Sequence, residues 1–267
     1  MDRVKAVIFD WAGTVVDFGS LAPMGAFVET FAEFGVAISI DEARGPMGMA
    51  KRPHIAAVMA LPRVAAAWAS RHGHSPTPAD IDAVYAAFVP RNVAVAARHA
   101  TLVPGAAEVA AELRREGVKI GSTTGYTREI MAEILPVAAA QGFAPDNLVC
   151  TGDTPEGRPA PYMLYKSFLE LEVWPASSVI KVDDTEVGVA EGLNAGAWAV
   201  GVSVSGNAFG LSRENAMALD PAEFERRRAK AAKTLERAGA HYVIDSVADL
   251  MSVARAIDAR LAKGARP

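Results

Sequence analysis

Short runs of almost wholly apolar residues recur along the chain. Longer stretches separate them, in which apolar residues return every three or four positions. Val4–Phe9, Val118–Ser122, Asn147–Cys150, Val179–Val182 and Trp198–Val202 are runs of the first kind, and Tyr242–Ile244 is a sixth candidate. Runs without alternation suit parallel strands covered on both faces. The stretches between them carry helix punctuation. Pro104-Gly105 precedes a helix over Ala106–Glu116, and Gly117 is placed to end it. Thr127 is a candidate N-cap for Arg128–Ala140, and Pro161 suits the first turn of a helix through Leu171. The alternation predicts an α/β fold, a doubly wound and mainly parallel sheet.

Between about residues 20 and 98 that rhythm stops. Phe27–Phe34, Ile55–Ala60, Val64–Arg71 and Ile81–Phe88 have amphipathic helical patterns, and no strand stands among them. Gly45-Pro46, Pro62, Gly73, Pro76 and Pro78 punctuate the region. An all-helical domain of residues 21–99 is therefore expected, inserted into a core of residues 1–20 and 100–267. Phe18-Gly19-Ser20 and Ala100–Pro104 are the expected hinges. Asp220–Gly239 reads as a charged helix with one solvated face, and Ser246–Leu261 as a closing helix.

A chain of 267 residues can bury a substantial core without covalent staples. The net charge of −4, with scattered lysines and arginines, lacks the basic stripe of a nucleic-acid binder. Cys150 is the only cysteine, which excludes an intramolecular disulfide and fits a reducing compartment. No run reaches the ~18–20 apolar residues of a membrane span. The apolar run ending before Asp10 is too short for a secretory leader. A soluble cytoplasmic protein is expected, with neither nucleic acid nor membrane as a partner.

Four motifs sit at the ends of the expected strands. Asp10-Trp11-Ala12-Gly13-Thr14 follows the first, where parallel α/β folds place their ligands. Val182-Asp183-Asp184-Thr185 ends the fourth; adjacent acids repel unless a cation lies between them, and with Asp10 they form an oxygen-rich pocket for Mg²⁺. Ser122-Thr123-Thr124-Gly125 offers hydroxyls and backbone N–H groups to phosphate oxygens, and Arg158 offers a fixed cation. Each has an ordinary alternative: a solvated turn, a solvated loop, a helix cap, a solvated arginine.

In this order and combination the motifs resemble the haloacid dehalogenase superfamily of aspartyl-phosphate-forming enzymes. The resemblance makes Asp10 the nucleophile, Thr124 and Arg158 the phosphoryl-binding groups, and Asp184 a Mg²⁺ ligand with Asp183 beside or behind it. The helical insert corresponds to the superfamily's cap. Its phosphatases carry a second Asp two residues after the nucleophile, as an acid for the leaving group. Here that residue is Ala12, which offers only a backbone carbonyl to a metal.

The run from Gly45 to His54, together with Gly125-Tyr126 and Gly157-Arg158-Pro159, narrows the resemblance to the phosphonoacetaldehyde hydrolase (phosphonatase) family over nearly the whole chain. That implies Mg²⁺-dependent cleavage of a carbon–phosphorus bond through an imine on Lys51. The imine is an electron sink, so no acid is needed at position 12. Lys51 must then be a neutral amine, with its pKa brought from ~10.4 toward ~7–8. Pro53 places a helix start just after it. His54 is near enough to Lys51 in sequence to be a proton shuttle, and the resemblance adds Met47, Gly48, Gly125 and Tyr126 as substrate-lining residues. It also implies a homodimer, through apolar helix faces near Phe27–Phe34. Another phosphatase or phosphomutase of the superfamily, and a catalytically dead phosphate-binding protein, are the rival readings.

Overall fold

The computed structural model describes residues 1–267. Its centre is one six-stranded sheet, with every neighbouring pair parallel, in the order β3-β2-β1-β4-β5-β6. The strands are β1 (Ala6–Phe9), β2 (Lys119–Thr124), β3 (Val149–Cys150), β4 (Val179–Asp183), β5 (Trp198–Val202) and β6 (Tyr242–Ile244). The chain runs outward from β1 to β3, then returns to the other side of β1 with β4. The order therefore reverses between β1 and β4, the place where open α/β sheets leave a crevice for ligands. Phe9 stands opposite both Ser122 and Val182, which brings three of the four motifs to one sheet edge.

Between β1 and β2 the chain forms α1 (Ala22–Glu33), α2 (Ile40–Arg44), α3 (Lys51–Met59), α4 (Pro62–His72) and α5 (Pro78–Ala96). The core then adds α6 (Ala106–Arg115), α7 (Arg128–Ala140), α8 (Tyr162–Glu170), α9 (Glu186–Asn194), α10 (Arg213–Met217), α11 (Pro221–Arg237) and α12 (Leu250–Ala262). One sheet face, with Val7, Phe9, Ile120, Val182 and Val200, packs on Leu113, Ile130, Ile134 and Ile257. The other, with Ala6, Ile8 and Val179, packs on Leu164 and Leu171. Burial on both faces explains why these strands are apolar at nearly every position.

The insert has a core of its own, built from Met24, Phe27, Phe31, Ile55, Val58, Trp68, Val84 and Phe88. This corrects the expected dimer surface. Phe27 and Phe31 are fully buried, and Phe27 stacks on Phe88 at 4.3 Å, so that apolar face is consumed within the monomer. Exposed large apolar residues cluster instead around α8, at Tyr162, Tyr165, Leu169 and Trp174, with Ile40 and Met217 standing singly elsewhere.

Several boundaries differ from expectation for local reasons. β1 is shorter than Val4–Phe9, because Val4 N–H is taken by the Asp258 carboxylate. β2 runs on to Thr124 because β3 pairs with Thr123 and Thr124. α3 starts at Lys51 itself, with Pro53 third in the helix, where a missing N–H costs nothing. α5 extends past Phe88 and through Pro90, from a capping box of Thr77 and Asp80. α2 is too short to show a period; its one sequence signal is the capping box of Ser39 and Glu42.

The two crossings between core and insert lie side by side. Asp17 N–H donates to Thr101 O at 3.1 Å, and Val103 N–H to Val15 O at 2.9 Å. Asp17 and Ser20 hold φ of 53° and 51°, a conformation that non-glycine residues rarely adopt, and Gly19 holds +88°.

Candidate active site

Asp10 follows β1, and its N–H donates to Val182 O at 2.9 Å. Its carboxylate meets Arg158 Nη1 at 2.8 Å. The guanidinium is almost wholly buried and held from three sides. Nη2 donates to Thr123 O at 2.6 Å, Nε lies 3.0 Å from Glu191 Oε2, and Nη1 lies 3.2 Å from Asp183 Oδ2. Lys181, inside β4, supports the same groups from below. Its Nζ is 2.7 Å from Thr123 Oγ1, 3.1 Å from Asp183 and 3.2 Å from Glu191.

Asp10, Asp183 and Asp184 each place an oxygen within 4.8 Å of the others. Burial and the neighbouring Asp183 charge push Asp10 up to about 6, while Arg158 and Lys181 pull the other way. Burial, with Asp10 and Asp183 nearby, drives Asp184 well above the ordinary carboxylate range. Burial also raises Asp183, but Arg158 and Lys181 outweigh it and hold that acid below its usual value. Carboxylates thus outnumber cations here: Asp10, Asp183, Asp184 and Glu191 face Arg158 and Lys181.

The donor set fits Mg²⁺. It is all oxygen, it carries an uncompensated negative charge, and Asp184 Oδ1 is buried without a hydrogen-bond partner. The other oxygen, Oδ2, accepts from Asn207 N–H at 2.7 Å. Two glycines make room for these acids. A Cβ on Gly13 (φ +82°) would fall 2.1 Å from Asp184 Oδ2, and one on Gly188 would fall 1.9 Å from Asp183 Cγ.

The insert closes the crevice from above. One small cavity is lined by Asp10, Ala12, Thr124, Arg158 and Asp184 of the core and by Met47, Gly48 and Lys51 of the insert; Gly125 and Tyr126 complete the named set. The 46–50 loop lies directly on the core. A Cβ on Gly48 would meet Thr185 Oγ1 at 2.3 Å, and one on Gly125 would meet Met49 O at 2.9 Å.

Lys51 is 3 % exposed and has no carboxylate partner of its own within ion-pair distance. Burial lowers its pKa to about 8, Arg158 adds to the shift, and Asp10 and Asp184 oppose it. Its Nζ lies 5.0 Å from the Tyr126 ring centre and 5.8 Å from that of Phe27. As the first residue of α3 it also sits at the positive end of a helix dipole, which disfavours an ammonium.

His54, one turn on, does not line the cavity. It is fully buried and stacks on Phe27 at 4.1 Å. Its Nε2 lies 2.7 Å from Ala43 O, so that nitrogen carries the proton and donates, leaving Nδ1 a buried acceptor without a partner. Burial, then Lys51, pushes its pKa down to about 3, so the ring is neutral.

Neighbouring hydroxyls of β2 divide their work. Thr124 faces the cavity, Ser122 accepts from the Trp11 indole, and Thr123 turns to Lys181 and Glu191. Lys181, Glu191 and Asn207 were not among the expected site residues, and Thr185 was expected only as the end of its motif, with no role of its own. Lys181 left a signal, a lysine within an otherwise apolar strand. Glu191 and Asn207 left none that local pattern displays.

A family model described as haloacid dehalogenase-like hydrolase matches residues 4–196. A curated phosphonoacetaldehyde hydrolase of Paraburkholderia phytofirmans is 70 % identical over 267 residues, all of both chains. One from Klebsiella pneumoniae is 48 % identical over 269 aligned positions, again covering both chains entirely. The crystal structure of a phosphonoacetaldehyde hydrolase like protein from Oleispira antarctica superposes with a TM-score of 0.98 at 46 % identity, covering 99 % of this chain and 96 % of that one. CbbY from Rhodobacter sphaeroides, at 22 % identity and a TM-score of 0.64 over 92 % and 96 % of the two chains, shares the fold.

Proposed function

The chain belongs to the haloacid dehalogenase-like hydrolases, in the family of the phosphonoacetaldehyde hydrolases, and from that we propose that it works through a Lys51 imine and an Asp10 aspartyl-phosphate. The reaction is Mg²⁺-dependent hydrolysis of the carbon–phosphorus bond of phosphonoacetaldehyde to acetaldehyde and phosphate. One observation carries the mechanism: a buried amine with a lowered pKa lines the same cavity as the strand-end aspartate, and the residue two after that aspartate is Ala12.

The steps follow from the residues. The neutral Lys51 amine adds to the aldehyde carbon and expels water, and the imine takes up a proton at nitrogen to become an iminium ion. Asp10 attacks phosphorus in line; the P–C bonding pair moves onto the carbon and is delocalised to the iminium nitrogen as an enamine. A proton returns to carbon, and water hydrolyses the resulting imine to acetaldehyde and free Lys51. A second water cleaves the acyl-phosphate and restores Asp10. Arg158 and Thr124 stabilise charge on the phosphoryl oxygens. Asp10, Asp184 and Asp183, with the Ala12 carbonyl, are the groups that would hold Mg²⁺, which neutralises charge on the transferring group. Met47, Gly48, Gly125 and Tyr126 shape the cavity. The expected proton-shuttle role of His54 does not fit this site: the ring is buried outside the cavity lining and neutral, with Nε2 committed to Ala43 O, so it packs beside Lys51 rather than carrying its proton.

Borohydride reduction with phosphonoacetaldehyde, followed by peptide mass mapping, tests the imine. An adduct on Lys51 that requires substrate is expected. No adduct on a folded, Mg²⁺-loaded protein would leave an ester phosphatase as the better reading.

The pH dependence has a fixed sign. The ammonium is inert, so kcat/KM is expected to rise with pH until Lys51 is neutral, at about 8, and to level off above. A profile flat between about pH 6.5 and 8.5 would mean that this amine is not the attacking group.

A homodimer is part of the proposal, now with the apolar surface at Tyr165, Leu169 and Trp174 as its interface. Sedimentation is expected to give twice the mass of one chain, and Leu169→Glu to halve it. A parent protein that sediments as a single chain would remove the dimer. No helix is long and apolar enough to cross a membrane. A cytoplasmic location is proposed on the single buried cysteine, which suits a reducing compartment.

A further inference from the structure

The insert grips the core at a second place, away from the reacting groups. Arg44, the last residue of α2, sends its guanidinium across the crevice edge. Nη1 donates to Gly19 O at 3.0 Å and to Asn207 at its carbonyl (3.2 Å) and its Oδ1 (2.9 Å). Nη2 donates to Gly210 O at 3.1 Å. Asn207 Nδ2 returns a contact to Arg44 O at 3.4 Å. All these acceptors are neutral, so the pairing depends on fork geometry rather than on charge neutralisation. Gly210, at φ +70°, lets the backbone come close; a Cβ there would stand 3.0 Å from Arg44 Cζ.

Asn207 has a second attachment. Its backbone N–H donates to Asp184 Oδ2 at 2.7 Å, leaving Oδ1 of that carboxylate free in the acid cluster. The residue before Arg44 is Ala43, whose carbonyl fixes the His54 ring. A five-residue helix therefore ends in two contacts, one to the core loop that orients Asp184 and one to the ring beside Lys51.

We infer that Arg44 is the latch of the closed cap, and that Asn207 transmits closure to Asp184, so that this carboxylate is oriented only when the cap is shut. Arg44 is a positioning residue; it touches neither substrate nor reacting atoms. The inference rests on the reading of this cavity as the catalytic site. Gly19, Asn207 and Gly210 all belong to the core, so Arg44, carried on the insert, reaches them only by crossing the crevice edge. When the cap lifts, water replaces these carbonyls, and the 205–210 loop loses the contact that holds Asn207 in place.

Amide hydrogen exchange tests the latch without substrate. In Arg44→Ala, peptides covering residues 45–51 and 205–210 are expected to exchange about 10-fold faster than in the parent, with β4 and β5 unchanged. Mg²⁺ titrated calorimetrically should bind several-fold more weakly, and kcat/KM should fall about 10- to 100-fold, partly recovered in Arg44→Lys. Unchanged exchange at 205–210 would overturn the inference, as would unaltered Mg²⁺ affinity. If Arg44→Ala fails to fold, Asn207→Ala serves. It removes the Oδ1 acceptor, keeps the backbone donor to Asp184, and should accelerate exchange at 45–51; parent-like exchange there would overturn the latch. If the parent protein releases no phosphate from phosphonoacetaldehyde, the functional reading fails while the exchange comparison still decides the latch.

Discussion

Lys51→Arg is expected to lower phosphate release from phosphonoacetaldehyde by ~10⁴-fold or more, the scale of losing a covalent catalytic group. It should also erase the borohydride-trapped adduct. A guanidinium stays charged and cannot condense with an aldehyde. It keeps the positive charge that faces Asp10 and Asp184, so the fold should survive, with Tm within about 4 °C of the parent. Lys51→Met, uncharged and of similar length, is the control should the arginine disturb the cavity. Substantial turnover by Lys51→Arg would sink the imine mechanism, because no other amine lines the cavity.

Asp10→Asn is expected to lose phosphate release on the same scale, ~10⁴-fold or more, yet to keep the adduct. Imine formation needs only Lys51 and the aldehyde, so the two halves of the reaction separate. The variant should also be the more stable protein without Mg²⁺ at about pH 7.5, by a few degrees. The sign follows from the raised pKa. Folding lifts Asp10 from 3.8 to about 6, so the folded state holds the proton more tightly than the unfolded chain. Stability is therefore lost as pH rises through 6, and asparagine escapes that loss. The advantage should vanish below about pH 4 and shrink when Mg²⁺ is added. Thermal scans across pH, with and without the metal, read this directly. An Asp10→Asn protein that loses the adduct as well would place Asp10 in imine formation; one that still releases phosphate would place the nucleophile elsewhere.

The parts legible in the sequence are those where one physical constraint dominates a local stretch. Burial on both faces makes Trp198–Val202 apolar throughout and Val179–Val182 apolar but for Lys181, and even the three residues Tyr242–Ile244 form a strand. Asp10, Asp183 and Asp184 could be brought together on paper because each directly follows or ends an apolar run, and β1 and β4 prove adjacent. Legibility stopped where two distant segments share one job. Arg44 and Asn207 are 163 positions apart, and neither sits in a local pattern. Glu191 looks like any helix-surface acid until Arg158 and Lys181 are seen against it. The apolar residues of α1 pointed toward a partner chain only because the sequence does not show what they pack against. In the fold that is the insert's own core.

The strand order has a consequence for assembly of the molecule. β1 is made first, yet every rung of its ladder is long-range: Ala6 pairs with Lys119 on one side and with Val179 on the other. Contacts so distant along the chain are slow to form, since loop closure must precede the bonds that reward it. On a ribosome the nucleophile strand therefore waits unpaired while the helical insert, whose core spans only Met24 to Phe88, emerges complete. Asp10 meets Asp183 only after some 170 further residues have followed it. The cap is thus ready before the site it covers exists, and the acids crowd together only once most of the sheet is there to hold them.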